Sequence, residues 1–231
     1  MMKVDQQKQF TLEFLQTYRA ADEVELEHVQ TTEAFIQAQP NPFDPLLPIG
    51  HITVSAILLD QAQENILFHH HLKLDRWLQF GGHVEPDQDR NTLQAAIREL
   101  MEETGLSVVA FGVVSGEPID VDVHLIPARA DFPAHPHHDL RYVFKLILPA
   151  KFDETSFKWI PIRELLAWED PSIQRFAQKV QGGGKRRKKR RKGRRGWGRG
   201  GGGGGGKRGR EKKRKEKKEK KRKGGGVSPA Y

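Results

Sequence analysis

The sequence predicts an α/β protein, and three observations carry that reading. Short β-branched and aromatic runs recur from His51 to Ile160. One amphipathic helix, about 91–104, interrupts them, and further helical patterns flank them on both sides. Strands interleaved with helices over about 180 residues suit one core with a sheet and packed helices. Periodicity alone reaches the class and not the topology.

In chain order, Phe10, Phe14, Leu15 and Tyr18 recur at helical spacing and predict a helix over about 6–20. Leu26, Val29, Phe35 and Ile36 predict a second over about 22–37. Pro40, Pro42, Pro45 and Pro48 then break regular structure. Residues 1–48 are therefore a helical flank and connector, read either as a lid on the core or as a homodimer contact. Strands are predicted at 51–60, 65–68 and 74–80, then at 107–114, 119–126, 140–148 and 157–160. Helices at 162–168 and 171–180 close the body, the second opened by Asp170 and Pro171.

Charge divides the chain. Residues 181–231 hold 24 of the 39 Lys+Arg and 3 of the 30 Asp+Glu, so that stretch carries +21 and the remainder −12. Glycine and like charge at that density cannot bury enough surface to offset chain entropy, which predicts a disordered tail. Clustered Lys and Arg suit non-specific contact with nucleic acid; an anionic membrane, a nuclear signal or an out-of-frame extension without a role are the other readings. Base stacking there is limited, because Trp197 is the lone aromatic within the basic run. The chain has no cysteine, which excludes disulfides and thiolate sites and suits a reducing cytoplasm. The polar opening residues predict no secretory segment, and no apolar run approaches the ~18 residues a membrane span needs.

The most informative stretch is 81–106, GGHVEPDQDRNTLQAAIRELMEETGL. Leu93, Ala96, Ile97, Leu100, Met101 and Thr104 make one inward stripe. Glu99, Glu102 and Glu103 sit at i, i+3 and i+4 and share a face. Three carboxylates so close repel unless a cation lies among them, and oxygen-only ligands favour Mg²⁺ or Mn²⁺. Arg98 can reach Glu102 at i+4. Asn91 with Gln94 resembles a capping box, and Gly105 fits a left-handed stop. Gly81-Gly82 marks a tight turn where backbone comes close to something.

This stretch resembles the signature of the Nudix hydrolases: Gly, five residues, Glu, seven residues, Arg-Glu-apolar-any-Glu-Glu-any-Gly-apolar. Arg98 to Leu106 matches the second half at every fixed position. The first half departs, with Gln88 or Arg90 where the glutamate belongs and a loop two residues longer. Asp87 and Asp89 are the candidates to stand in. Further stretches resemble one bacterial Nudix group, among them 50–53, 70–79, 122–128 and 135–141. The resemblance covers about 8–180 and puts the Nudix domain at 49–180. It implies a mixed sheet sandwiched between helices and hydrolysis of a nucleoside diphosphate linked to another group. It also implies Mg²⁺ or Mn²⁺ held by Glu99, Glu102, Glu103 and the Gly81 carbonyl. Arg98, Glu102 and Glu103 are the expected catalytic residues, with Glu102, Glu103 or a loop residue as general base.

Nine of the ten histidines fall between His51 and His138. They are open to three readings: a second metal site for zinc, copper or nickel, partners for a substrate phosphate, or ordinary surface residues. His83, next to the glycine pair, is expected to face the ion and bind substrate. Asp122 and His124 alternate on a strand and are expected in the cleft. Arg141 is the expected phosphate contact. Trp77 is read as core. The partner expected is a nucleotide-type small molecule. Two alternatives stay open: an RNA 5′-end pyrophosphohydrolase that uses the tail, and a domain that binds nucleotide or nucleic acid without catalysis. A Nudix-type isoprenoid isomerase is disfavoured, because that chemistry relies on a cysteine.

Overall fold

The structure, a computed structural model, describes residues 2–193 apart from Lys73, Ala130 and Asp131. Helices α1 (Met2–Thr17) and α2 (Glu23–Ala38) open the chain. Strands β1 (His51–Leu59), β2 (Asn65–His71), β3 (Arg76–Leu78) and β4 (Phe80–His83) lead into α3 (Thr92–Thr104). After a 3₁₀ turn at Val108–Ala110 come β5 (Phe111–Val113), β6 (Asp120–Ile126), β7 (His135–Leu146) and β8 (Phe157–Pro161). Helices α4 (Ile162–Leu165) and α5 (Pro171–Gly193) follow. All eight strands join one sheet with the path β3-β2-β1-β7-β5, while β4 pairs with β1, β6 with β7 and β8 with β2. Only β1 and β7 run parallel, so the sheet is mixed.

Strand β1 is buried along its whole length because both its faces are covered. Ile52, Val54, Ala56 and Leu58 pack on one side with Ala95, Ala96 and Leu100 of α3 and with Leu15, Val29, Ile36 and Phe43 of the N-terminal flank. Ile57 and Leu59 face the other way, into a second core with Ile66, Phe68, Ile162, Leu165, Ile173 and Phe176. The N-terminal helices thus share the first core. The start of β1 is different: on the second face it presents His51, Thr53 and Ser55, all buried and polar.

Several elements differ from expectation. The strand expected at 74–80 is two short strands, and the one expected at 107–114 is a 3₁₀ turn plus the three residues of β5. Strand β7 begins at His135, before the expected 140, and runs through Pro136. Proline is tolerated because pairing with β1 starts only at His137, so no β1 carbonyl needs its missing N–H. Helix α4 is a single turn, and α5 continues past the expected 180 to Gly193, across three poorly helix-forming glycines at 182–184 and then a run of Lys and Arg, which are good helix formers. The rest of the expected tail, 194–231, lies outside the described residues. Among those described, no helix is long and apolar enough to cross a membrane.

Candidate active site

Helix α3 is fixed at both ends. The Asn91 side chain accepts from the Gln94 N–H at 3.0 Å, and Gln94 Oε1 accepts from the Arg90 N–H at 3.0 Å, one residue earlier than in a standard box. Gly105 ends the helix at φ 68°, its N–H donating to the Met101 carbonyl. Buried Ala95, Ala96 and Leu100 hold the helix on the sheet and turn the charged face toward the β4 turn.

Arg98 is the hub of that face. Its Nη1 donates to Glu99 Oε1 at 2.8 Å and Glu102 Oε2 at 3.2 Å, and lies 3.9 Å from Glu85. Its Nε and Nη2 grip Asp89 at 3.2 and 3.0 Å, and Nη2 also donates to the His83 carbonyl at 2.8 Å. Asp89 is buried and accepts from the Glu85 N–H as well. Of the two candidate stand-ins, then, Asp89 is the one that meets Arg98. Asp87 is exposed and offers only its backbone carbonyl, to Lys3. The lengthened loop brings a shorter acid to the arginine.

Glu103 stands apart from Arg98. Its Oε2 accepts from the Gly81 N–H at 2.9 Å, and its Oε1 lies 3.6 Å from His69 Nδ1. Gly81 has φ +155°, which favours glycine, and a Cβ on Gly82 would sit 2.5 Å from the Glu99 carboxylate. The glycine pair therefore lets β4 press directly against the acids of α3. Burial pushes the Glu103 carboxyl up to about 7, against the pull of the Gly81 N–H, and the charges of Glu99 and Glu102 add to the rise. Burial raises Glu99 as well, with Arg98 opposing it. One guanidinium faces Glu85, Asp89, Glu99 and Glu102, so the cluster is short of positive charge. Oxygen-only donors with a charge deficit suit a hard divalent cation, although the ligand atoms of Glu99, Glu102 and Glu103 are not among those that converge within 4.8 Å of one another in the described residues.

The NUDIX domain model matches residues 50–180 of this sequence. The chain belongs to the Nudix family. That membership places it among the Nudix-type pyrophosphohydrolases. A search of curated proteins finds no match. Among solved structures, the chain is similar to an Ap4A hydrolase of C. elegans at 17% identity and a TM-score of 0.41, over 57% of this chain and 95% of that one. A NUDIX family hydrolase from Clostridium perfringens gives 20% identity and 0.41, over 57% and 96%. A MutT protein from Methanosarcina mazei Go1 gives 18% and 0.40, over 62% and 99%.

The remaining expected site residues of this Nudix chain are placed elsewhere. Gly82 points its open side at α3, so strand alternation sends the His83 side chain to the opposite face of the sheet. Only its carbonyl reaches Arg98. Arg141 is 3% exposed, and its nitrogens donate to Asp120, Asp122, Asp139 and Ser172, leaving it closed to a substrate phosphate. Asp122 binds Arg141 and Arg175, and His124 is held by Asp122 at 3.1 Å. Burial works against the Asp122 anion, yet His124, Arg141 and Arg175 hold its carboxyl well below the usual range. Trp77 packs at the edge of the second core, as expected. Sequence reasoning missed His69 beside Glu103, as well as Asp120, Asp139, Arg175 and Lys179. The i, i+2 spacing of Asp120 with Asp122 and the i, i+4 spacing of Arg175 with Lys179 were the available signals.

Proposed function

We propose that the chain is a divalent-metal-dependent hydrolase cleaving the pyrophosphate bond of a nucleoside diphosphate linked to another group. The observation that supports this most is the charge deficit around Glu99, Glu102 and Glu103, in a cluster that Asp89 and Arg98 hold in shape. These glutamates, with the Gly81 carbonyl that the family resemblance supplies, would hold Mg²⁺ or Mn²⁺. Bound there, such an ion neutralises phosphate oxygens and makes a water more acidic. Arg98 positions Glu99 and Glu102, and Asp89 positions Arg98. Glu102 and Glu103 are the groups suited to take the proton of the attacking water. Glu102 has the greater exposure, with 59% of its side chain open against 26% for Glu103. Water oxygen joins one phosphorus, the bridging P–O bond breaks, and the second phosphate leaves.

The test is turnover of a substrate panel with Mg²⁺ or Mn²⁺: dinucleoside polyphosphates, nucleotide sugars, oxidised and normal nucleoside triphosphates, and 5′-triphosphorylated RNA. Metal-dependent turnover that falls at least about 100-fold in Glu102→Gln is expected. A folded, metal-loaded protein that turns over none of them would move the reading to ligand binding without catalysis.

A further inference from the structure

We propose that His51, His83 and His137 form a site for one borderline transition-metal ion of the Zn²⁺ class, on the sheet face away from the α3 carboxylates. Among the described residues these three are the group of His, Asp or Glu side chains whose ligand atoms converge, all within 4.8 Å of one another. Register makes them converge. His51 on β1 lies directly opposite His137 on β7, and His83 on β4 pairs with Thr53, two residues along the same face. Gly50 and Pro136, the residues just before the first pair, are in close contact. A Cβ on Gly50 would lie 2.6 Å from the Pro136 carbonyl, so glycine lets the two histidines approach.

A second observation points to a ligand. His51 is 1% exposed, and neither of its ring nitrogens has a hydrogen-bond partner among the described residues. An orphaned buried imidazole is unfavourable unless something binds it. The Leu47 carbonyl raises the proton affinity of this ring slightly, but no hydrogen bond to either ring nitrogen is made. His135 extends the same face, with ring centroids 5.1 Å from His51 and 5.2 Å from His137. Its Nδ1 lies 2.8 Å from the Pro133 carbonyl, which can only accept, so the proton is on Nδ1 and a neutral ring offers Nε2 as a lone pair.

The donor set selects the ion. Three imidazoles without a carboxylate suit zinc, copper or nickel, whereas the all-oxygen set on α3 suits magnesium. Two nitrogens on a tetrahedral ion are about 3.4 Å apart. The exposed His83 and half-buried His137 are the rings with room to rotate toward that spacing. A bare phosphate would need protonated rings. Three imidazoles this close together, one of them fully buried, disfavour carrying positive charge together and present lone pairs instead. The site does not depend on whether the α3 carboxylates turn over a substrate.

The experiment titrates the chelator-stripped full chain with Zn²⁺ against a chromophoric chelator, under saturating Mg²⁺. One equivalent of Zn²⁺ is expected, with an affinity that falls more than about 100-fold in His83→Ala and in His137→Ala, since even outer partners of a metal are worth about 10–100-fold. His71→Ala and Glu102→Gln should leave it unchanged, and X-ray absorption of the zinc-loaded protein should show imidazole scattering. His83 is exposed, so loss of binding with an unchanged melting temperature separates the site from the fold. Three results would overturn the proposal: affinity unchanged in His83→Ala, affinity that instead tracks Glu102→Gln, or binding of inorganic phosphate without any Zn²⁺.

Discussion

Two clusters of acids in this molecule look alike in sequence and behave oppositely in the fold. Around α3, Arg98 faces Glu85, Asp89, Glu99 and Glu102, while Glu103 has only a backbone N–H and a histidine nearby. Between β6, β7 and α5, Asp120, Asp122 and Asp139 are matched by Arg141, Arg175 and Lys179. Lys179 also reaches Glu25 of α2, and Thr53 and Ser55 hydrogen-bond Asp139. The second cluster is buried, and its charges are paired and hydrogen-bonded. It ties α2, α5 and three strands together. The first is half-open and under-neutralised. Carboxylate density alone therefore does not mark a site; carboxylates left short of a counter-charge and open to solvent do.

The contrast is sharpest under mutation. Arg141→Ala should destabilise by about 3–5 kcal/mol, because it leaves buried carboxylates unpaired. That appears as a lower urea midpoint at unchanged slope. Glu102→Gln should do the reverse: turnover falls at least about 100-fold while stability stays within about 0.5 kcal/mol. If Glu102→Gln instead unfolds the protein, the distinction between the clusters collapses. Asp89→Asn should fall between them, lowering metal affinity or turnover by about 10–100-fold as a positioning partner would. Calorimetric Mg²⁺ titration reads that directly.

Proton linkage separates the clusters again. Glu103 is raised in the fold, so its contribution to stability is fully present below its unfolded value of about 4.5 and is lost as pH rises through about 7. Ion-free protein should gain a little stability as pH falls across that window, and Mg²⁺ or Glu103→Gln should remove the gain. Asp120 and Asp122 are depressed, so their contribution is present above the usual aspartate range and lost only in stronger acid. Melting temperatures with EDTA and with Mg²⁺ over about pH 5–8 check the first sign, and extending the series down to about pH 2 checks the second. The smallest effect expected is that of removing 194–231. Turnover of small nucleotides should not change, whereas an RNA-end hydrolase would lose affinity and salt dependence.

What the sequence makes legible follows from range. The α3 helix, its Asn91 and Gly105 caps and the Arg98–Glu102 contact are local, and 3.6-residue spacing predicts them. β1 is readable because both its faces are apolar beyond Ser55. Asp89 is readable only as one of two candidates, since choosing it requires knowing how the longer loop folds back onto Arg98. Arg141 and Asp122 mislead for a long-range reason: beyond the local Asp139 and His124, their partners lie on another strand and on α5, and the local contacts do not show that they are already satisfied. His83 misleads by one residue of strand parity. Its neighbour Gly82 faces the acids, so its own ring faces away.

The role proposed for the α3 acids requires that they take a cation. Mn²⁺ binding followed by electron paramagnetic resonance, in the intact chain and in Glu99→Gln and Glu103→Gln, tests this without needing a substrate. One bound Mn²⁺ per chain, weakened in both variants and unaffected by His83→Ala, is the predicted result. Mn²⁺ binding that ignores both glutamates, or none at all in the folded protein, would contradict it.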